Sequence, residues 1–330
     1  MKILVTGGSG FIGSAVIRKA IKDNHSIVNV DALTYASNLK NLESVENSPL
    51  YKFENVNINS AKDLKEVFER HRPDRVMHLA AESHVDRSIE GPYAFMETNI
   101  LGTFNLLQVS KDYVKTEENK DNFRFHHIST DEVFGSLGED GLFSEDTPYN
   151  PNSPYSASKA SSDHLVRAWG ATYGLPVLIT NCSNNYGPYQ HPEKLIPKVI
   201  INIIRGEKIP VYGNGKNIRD WLYVEDHAEA LLLVLEKGEI GRSYNIGGMN
   251  EAENIQIIEK ICGIIDSKLS SSSRSADLIA YVDDRQGHDQ RYAIDSSRID
   301  KEMGWKPKIS IDEGLIKTVD WYLSNQPWWQ

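Results

Sequence analysis

Residues 3–13 read ILVTGGSGFIG, a short apolar run followed by glycines at 7, 8, 10 and 13. The apolar run predicts a buried β-strand, and the residues after Gly13 predict a helix. Glycine suits such a turn because a side chain would block the bend, the approach of a pyrophosphate, or the contact between helix and strand. The pattern predicts a dinucleotide-binding unit whose helix N-terminus holds the pyrophosphate.

A second predicted strand, residues 26–30, leads into Asp31. An acid at this place accepts hydrogen bonds from both ribose hydroxyls of a dinucleotide, and it repels a 2′-phosphate. The sequence therefore predicts NAD, and not NADP, as the cofactor.

Apolar runs alternate with helical stretches through the first half of the chain. The alternation predicts an α/β fold, a Rossmann-type doubly wound parallel sheet with right-handed crossovers. After Cys182 the elements shorten and turns become frequent, which predicts a smaller α/β C-terminal substrate domain. We expect residues 1–182 to form the NAD-binding Rossmann domain, with 224–247 rejoining it, and residues 183–330 to form mainly the substrate domain. The serine-rich segment 270–275 is predicted to be a solvated loop.

Composition narrows the classes of partner. The formal net charge of −10 argues against a nucleic-acid groove. The first residues lead straight into a strand without a signal-peptide pattern, and the longest apolar run, 230–235, is too short to span a bilayer. Cys182 and Cys262 give neither a disulfide framework nor a metal-ligand spacing. We expect a cytoplasmic protein that binds no metal, nucleic acid or membrane.

Tyr155 and Lys159 are spaced i, i+4 and therefore share one face of a predicted helix. A phenol has a reference pKa of about 10, so it becomes a base only where nearby positive charge favours the phenolate. We expect Lys159 and a nicotinamide ring to lower the pKa of Tyr155. Ser129 and Thr130 close the preceding predicted strand and would lie beside the phenol.

The glycine loop, Ser129-Thr130 and the Tyr155–Lys159 pair together resemble the extended short-chain dehydrogenase/reductase family, whose members act on nucleotide sugars. The resemblance implies that Tyr155 removes a sugar hydroxyl proton while hydride passes to NAD. It also implies that Lys159 holds the nicotinamide ribose and that Thr130 relays the proton.

Asp131 and Glu132 follow Thr130 directly. Because neighbouring strand residues face opposite ways, both acids can reach one ligand only if the strand has ended there. We expect the turn at 134–136 to provide that end. Two carboxylates in one pocket can serve as an acid and a base, which is what removing water from adjacent carbons requires.

Residues 129–135 are similar to the matching segment of the dTDP-glucose 4,6-dehydratases, a branch of the same family, and the likeness extends over nearly the whole chain. It includes residues 31–36, 80–88, 182–188, 194–197, 219–221, 284–285, 287–289 and 320–322. Asn57, Asn181 and Gln286 depart from the wider family pattern. The resemblance implies oxidation at C4 of dTDP-glucose, elimination of water across C5 and C6, and reduction at C6 to give dTDP-4-keto-6-deoxyglucose.

The resemblance also implies site residues. Catalytic roles fall to Thr130, Asp131, Glu132, Tyr155 and Lys159. Cofactor contacts fall to Gly7, Gly10, Phe11, Ile12, Gly13, Asp31, Leu33, Thr34, Asn57, Ile58, Leu79, Ala80, Ala81, Asn99, Ser129, Tyr155, Lys159 and Cys182. Substrate contacts fall to Ser83, His84, Thr130, Asn184, Glu193, Lys194, Leu195, Pro210, Tyr212, Arg219, Asn254, Arg285 and His288.

Further expectations concern assembly and single residues. The resemblance implies a homodimer joined by the helices around 99–111 and 155–173. His126 and His127 are interpreted as structural, and Trp328 and Trp329 as a docking contact.

Two alternatives stay open. A 4-epimerase or decarboxylase on a UDP-sugar has no use for Asp131-Glu132. A non-catalytic NAD-binding regulator has no use for intact Thr130, Tyr155 and Lys159.

Overall fold

The computed structural model describes residues 1–116, 122–270 and 274–330. Residues 271–273 of the predicted serine-rich loop lie outside the described residues. The strands are β1 (Lys2–Thr6), β2 (Ser26–Val30), β3 (Tyr51–Glu54), β4 (Arg75–His78), β5 (Arg124–Thr130), β6 (Val177–Cys182), β7 (Asn184–Tyr186), β8 (Ile209–Tyr212), β9 (Ile218–Tyr223), β10 (Ser243–Ile246), β11 (Glu251–Glu253) and β12 (Ile279–Val282).

The helices alternate with these strands in the first half of the chain. They are α1 (Phe11–Lys22), α2 (Ala61–His71), α3 (Val85–Glu90), α4 (Tyr93–Phe95), α5 (Thr103–Thr116), α6 (Pro154–Tyr173), α7 (Leu195–Arg205), α8 (Val224–Lys237), α9 (Asn254–Leu269), α10 (Ser297–Met303), α11 (Ile311–Ser324) and α12 (Gln326–Trp329). A π-helical segment, Met96–Gly102, joins α4 to α5. None of the helices in the described ranges has the length and apolar character needed to cross a membrane.

Seven parallel strands form the central sheet in the order β10-β6-β5-β4-β1-β2-β3. Side chains alternate across it, as a strand requires. Ile3 and Val5 of β1 pack with α1 and α8 on one face, whereas Leu4 packs with α2, α5 and α6 on the other. Burial on both faces explains why the strands are continuous apolar runs. The predicted Rossmann-type doubly wound fold is confirmed.

A second core lies beside the sheet. Helices α7, α9 and α11 surround a three-stranded sheet, β11-β9-β7, and a two-stranded sheet, β12-β8. Tyr186, Ile200, Ile258 and Leu315 are fully buried within it. Strand β10 returns to the central sheet and pairs with β6, and α8 packs against α1.

The topology fixes where a ligand can lie. Successive strands from β1 run outward to β2 and β3, whereas β4, β5 and β6 lie on the opposite side of β1. The connections therefore diverge between β1 and β4 and leave a crevice beyond the carboxyl ends of these strands. Asp31, Thr130 and Cys182 all lie at that edge.

Candidate active site

The glycine loop between β1 and α1 forms the inner wall of the crevice. Gly7 has φ of 71°, and a Cβ there would lie 2.8 Å from the backbone nitrogen of Ala80. A Cβ on Gly13 would lie 2.2 Å from the Gly7 carbonyl oxygen. Helix α1 begins after Gly10, which offers no side-chain cap to the first amide groups. Both glycines are needed for packing, and the uncapped helix start can bind an anion.

Asp31 fastens this loop to the end of β2. Its Oδ2 accepts a hydrogen bond from the Ser9 amide at 2.9 Å, and its Oδ1 accepts from the Leu33 amide at 2.8 Å and the Ser37 hydroxyl at 2.7 Å. A carboxylate has about four lone-pair sites, so capacity remains for a ribose hydroxyl. The negative charge would repel a phosphate in the same place.

One cleft contains most of the residues predicted to contact the cofactor. Those that line it are Gly7, Gly10, Phe11, Ile12, Gly13, Asp31, Thr34, Asn57, Ile58, Leu79, Ala80, Ala81, Ser129, Tyr155, Lys159 and Cys182. Leu33 does not line the cleft. Its backbone has φ of 52°, and its amide donates a hydrogen bond to Asp31.

Asn99 also lies outside the cleft, behind its wall. Its side chain accepts from the Glu82 amide at 2.9 Å and donates to the Glu82 carbonyl at 3.0 Å and to the Ser158 hydroxyl at 2.8 Å. These hydrogen bonds hold the Asn99 amide to the loop after β4, so its contact with the cofactor stays a prediction that the lining of the cleft does not support. Asn99 holds Glu82, which does line the cleft.

Tyr155, Lys159 and Thr130 meet at the end of β5. Ser153 caps α6 through a capping box and Pro154 follows, which starts the helix at the edge of the cleft. Tyr155 is 8% exposed and interacts with the Thr130 side chain. Lys159 is buried, and its ammonium donates to the Ile128 carbonyl at 2.9 Å. Helix α6 thus places the Tyr155 phenol and the Lys159 ammonium against the end of β5, where the Thr130 hydroxyl lies.

The electrostatics around Tyr155 differ from the expectation. Burial and the carboxylates of Glu132 and Asp131 raise the pKa of the Tyr155 phenol well above its ordinary value. The prediction that its surroundings lower this pKa is wrong for the polypeptide alone, because burial is the largest influence and the neighbouring acids act in the same direction. A positively charged ring bound beside the phenol would act in the opposite direction.

Asp131 and Glu132 occupy a short helical turn, Asp131–Phe134, immediately after β5. The Thr130 hydroxyl accepts from the Glu132 amide at 3.2 Å and donates to Asp131 Oδ1 at 3.3 Å. The strand therefore ends at Thr130, as predicted, and both acids line the same cleft. Gly135 closes the turn with φ of 90°, and a Cβ there would lie 2.5 Å from the Asn150 carbonyl oxygen.

The two acids have different surroundings. Burial, Glu132 and Asp220 raise the pKa of Asp131 well above its ordinary value, which favours the neutral acid. Burial also raises the pKa of Glu132, but Arg285, Arg219 and Lys194 oppose that shift and favour the carboxylate. Both pKa values are raised, and the cations beside Glu132 make it the acid of the pair whose ionised form is better compensated.

Basic residues lie beyond the two acids. Arg219 is buried, donates to the Asp289 carbonyl at 2.9 Å and lies 4.2 Å from the centre of the Tyr292 ring. Arg285 lies 3.7 Å from Asp86. The positive charge of each guanidinium lowers the pKa of Glu132, so both groups lie near the two acids. Two guanidinium groups beside a cleft are suited to a diphosphate.

The predicted substrate residues fall into two groups. Ser83, Thr130, Asn184, Glu193 and Lys194 line the cleft itself. Around Arg285, the Tyr212 hydroxyl donates to Asp86 and His288 lies 2.6 Å from Asp284. The remaining residues lie on neighbouring elements: His84 caps α3, Leu195 begins α7, Pro210 lies on β8 and Asn254 begins α9.

Several lining residues were missed by the sequence analysis. They are Val30, Ala32, Ala36, Ser37, Val56, Glu82, Thr98, Ile128, Ser183, Asn185, Gln190 and His191. Most are neighbours of predicted residues, so position beside a motif was the available signal. Gln190 and His191 lie in a turn that carries no motif of its own.

The tryptophans of α12 dock against the rest of the molecule, as predicted. Trp329 is buried and donates to the Tyr322 carbonyl at 3.0 Å. Trp328 donates to Asn41 Oδ1 at 2.8 Å, and the Asn41 amide donates to the Ser9 carbonyl at 2.9 Å. Helix α12 is thereby joined to the glycine loop through one asparagine.

Comparison with known proteins agrees with the fold. The family model described as GDP-mannose 4,6 dehydratase matches residues 4–318. The dTDP-glucose 4,6-dehydratase of Salmonella typhimurium is 55% identical, with 99% of this chain and 94% of the relative covered. The Neisseria meningitidis dTDP-glucose 4,6-dehydratase is 56% identical, with 100% and 95% covered.

Solved structures extend the likeness. The dTDP-glucose 4,6-dehydratase of Streptomyces venezuelae, with NAD and TYD bound, is 43% identical, covers 100% of this chain and 99% of its own, and has a TM-score of 0.92. The Bacillus anthracis dTDP-glucose 4,6-dehydratase in complex with NAD is 44% identical, with 100% and 98% covered and a TM-score of 0.88. The predicted resemblance is confirmed. The chain belongs to the GDP-mannose 4,6 dehydratase family and, within it, to the dTDP-glucose 4,6-dehydratases.

Proposed function

We propose that this enzyme is an NAD-dependent hydro-lyase that converts dTDP-glucose into dTDP-4-keto-6-deoxyglucose. The observation that carries the proposal is the Asp131–Glu132 pair, which lines the same cleft as Tyr155 and Lys159. An epimerase needs only the tyrosine and lysine. A second acid and base become necessary when water has to leave the sugar.

NAD fits the residues of the cleft. The glycine loop leaves room for a pyrophosphate at the start of α1, and Asp31 is placed for a ribose hydroxyl. Lys159, which lines the cleft, would contact the second ribose near the end of β5. When bound, NAD accepts a hydride from C4 of the sugar and later returns it to C6.

Tyr155 would take the proton of the C4 hydroxyl, and Thr130 would relay it. Once C4 is a ketone, the C5 proton becomes acidic. Glu132 would remove that proton while Asp131 protonates the C6 hydroxyl, which leaves as water and creates a C5–C6 double bond. Burial raises the pKa of both acids, but three cations oppose this shift at Glu132 and only Arg219 among the cations named opposes it at Asp131, which supports Glu132 as the base. A proton then returns to C5.

Arg219 and Arg285 would hold the diphosphate, with Lys194 beside them. The other proposed substrate contacts are Ser83, His84, Thr130, Asn184, Glu193, Leu195, Pro210, Tyr212, Asn254 and His288. In this proposal residues 183–330 mainly hold the nucleotide sugar, whereas 1–182 and 224–247 hold NAD.

We further propose a cytoplasmic homodimer. Support comes from the outer surfaces of the π-helical segment, α5 and α6, where Leu101, Phe104 and Tyr173 are 55%, 40% and 50% exposed. Phe104 packs edge-on against Trp169, which continues the apolar surface between the two helices. Both cysteines are unpaired and buried, which is ordinary in a reducing compartment.

Mass spectrometry of products from a panel of nucleotide sugars tests the reaction and the substrate together. We expect dTDP-glucose to lose the mass of water, and its kcat/KM to exceed that of UDP-, CDP- and GDP-glucose. A methyl group in an apolar pocket is worth about 1–3 kcal/mol, so UDP-glucose should react slowly. Equal or better kcat/KM for UDP-glucose would contradict the substrate, and epimerised product without loss of water would contradict the reaction.

A further inference from the structure

Asp163 is a buried carboxylate that the reaction described above does not use. It lies on α6 four residues after Lys159, so the two side chains share one face of the helix. The exposed fraction is 0% for Asp163 and 4% for Lys159. Burying an ionised carboxylate is costly unless other groups compensate it.

Hydrogen bonds surround the Asp163 carboxylate. Its Oδ1 lies 3.0 Å from His127 Nε2, and its Oδ2 accepts from the Tyr149 hydroxyl at 2.8 Å and from the Asn181 amide at 3.4 Å. Burial lowers the pKa of His127 to about 4, so the ring is neutral and must carry its proton on Nε2 to donate. These donors hold the pKa of Asp163 below its ordinary value in spite of burial.

The titratable groups that interact with Lys159 come from four elements: His78 on β4, His127 on β5, Cys182 on β6 and Asp163 on α6. Tyr155 lies one turn before Lys159 on α6. Burial lowers the pKa of both histidines and raises the pKa of Tyr155 and of the Cys182 thiol, so all four are neutral near pH 7. Among these described groups, Asp163 alone carries a negative charge. It is also the largest influence that raises the pKa of Lys159.

The same network reaches the catalytic strand end. The Asn181 amide that touches Asp163 also donates to the Thr130 carbonyl at 3.1 Å. Asp163 is therefore linked both to the charge of Lys159 and to the position of Thr130.

We propose that Asp163 is a positioning residue for the oxidation step, supplying the buried negative charge against which Lys159 keeps its proton. The proposal rests on the proposed function, in which an ammonium at Lys159 favours the Tyr155 phenolate. Asp163 itself is not among the residues that line the cleft.

The test is the pH profile of kcat for dTDP-glucose in Asp163→Asn, which keeps the size of the side chain and removes its charge. An opposite charge nearby typically shifts a pKa by about 1–3 units, so the alkaline limb should move at least about one unit toward lower pH. KM for dTDP-glucose should stay within about twofold, since Asp163 is not among the residues that line the cleft. Asp163→Glu should return the limb toward its wild-type position.

Tyr149→Phe is the matched control. It removes one hydrogen bond to Asp163 and leaves the charge, so its alkaline limb should stay in place even if kcat falls. An Asp163→Asn profile that is lower at every pH but unshifted would overturn the proposal and leave a structural role. Should the asparagine variant not fold, Asp163→Ser also removes the charge. Its alkaline limb should likewise shift toward lower pH, and an unshifted limb would overturn the proposal.

The proposed function can fail separately. If the wild-type enzyme does not dehydrate dTDP-glucose, the function is wrong. The effect of the Asp163 charge on the pKa of Lys159 is then measured directly, by NMR titration of the labelled Lys159 side chain in wild-type protein and in Asp163→Asn. A lower Lys159 pKa in the variant supports the relation, and an unchanged one overturns it.

Discussion

Replacing Glu132 by glutamine should separate oxidation of the sugar from loss of water. The substitution keeps the size of the side chain and removes the base, while Thr130, Tyr155 and Lys159 stay intact. Losing a positioned base usually costs about 10²–10⁴ in rate. We therefore expect C4 to be oxidised and the elimination to stall, so that NADH and a 4-keto-glucose nucleotide accumulate on the enzyme.

The charges around Glu132 predict what happens to binding. The positive charges of Arg285, Arg219 and Lys194 all stabilise its ionised carboxylate. Removing the carboxylate frees these cations for the diphosphate, so dTDP should bind more tightly, by up to about tenfold or 1.4 kcal/mol. Asp131→Asn should leave affinity nearly unchanged, because burial already keeps Asp131 neutral. Isothermal titration with dTDP distinguishes the two variants.

Single-turnover absorbance reports NADH, and solvent-deuterium exchange at C5 reports removal of the C5 proton. Combining Asp131→Asn with Glu132→Gln should give NADH without exchange and without 6-deoxy product. Tyr155→Phe should give no NADH, since hydride barely leaves the sugar. Product at a near wild-type rate from the double variant would show that these carboxylates are not the elimination pair. Complete absence of NADH would assign them to oxidation or binding.

Three further outcomes follow. Because hydride leaves and returns within one cycle, NAD should copurify with the protein, and release of mainly NADP on denaturation would contradict the role of Asp31. Glu132 acts as a carboxylate and burial raises its pKa, so kcat should fall on the acid side at a pH above the ordinary glutamate range; a limb near pH 4 or below in a pH series would contradict it. Trp328→Phe removes the hydrogen bond to Asn41, so stability should fall by about 0.5–1.5 kcal/mol in denaturant unfolding, whereas Trp321→Phe, from the same aromatic cluster, should not weaken that contact.

The parts of the fold and site that the sequence predicted are those with local causes. The glycine loop, Asp31 and the Tyr155–Lys159 spacing each follow from a turn, a strand end or one helix face. Asp131 and Glu132 were placed correctly in one cleft because the chain turns directly after Thr130.

Other features depend on contacts between distant parts of the chain. The amide of Asn99 could have faced a cofactor, and only the path of the Glu82 loop shows that it is occupied. The pKa of Tyr155 depends on burial and on two acids from another element, which no spacing within α6 reveals. Asp163 carried a signal, its position four residues after Lys159, but its meaning required His127 and Asn181 from neighbouring strands.

The hydrogen bond between Trp328 and Asn41 also bears on the order in which the protein matures. The two residues are 287 positions apart, so a growing chain completes the glycine loop long before it reaches α12. Chains fold from the N-terminal side as they are made, and the first strands can pair early. The Asn41 amide that donates to the Ser9 carbonyl gains its indole partner only when α12 has left the ribosome. The link between the glycine loop and α12 is therefore a late contact, which forms only after the second half of the chain has been made.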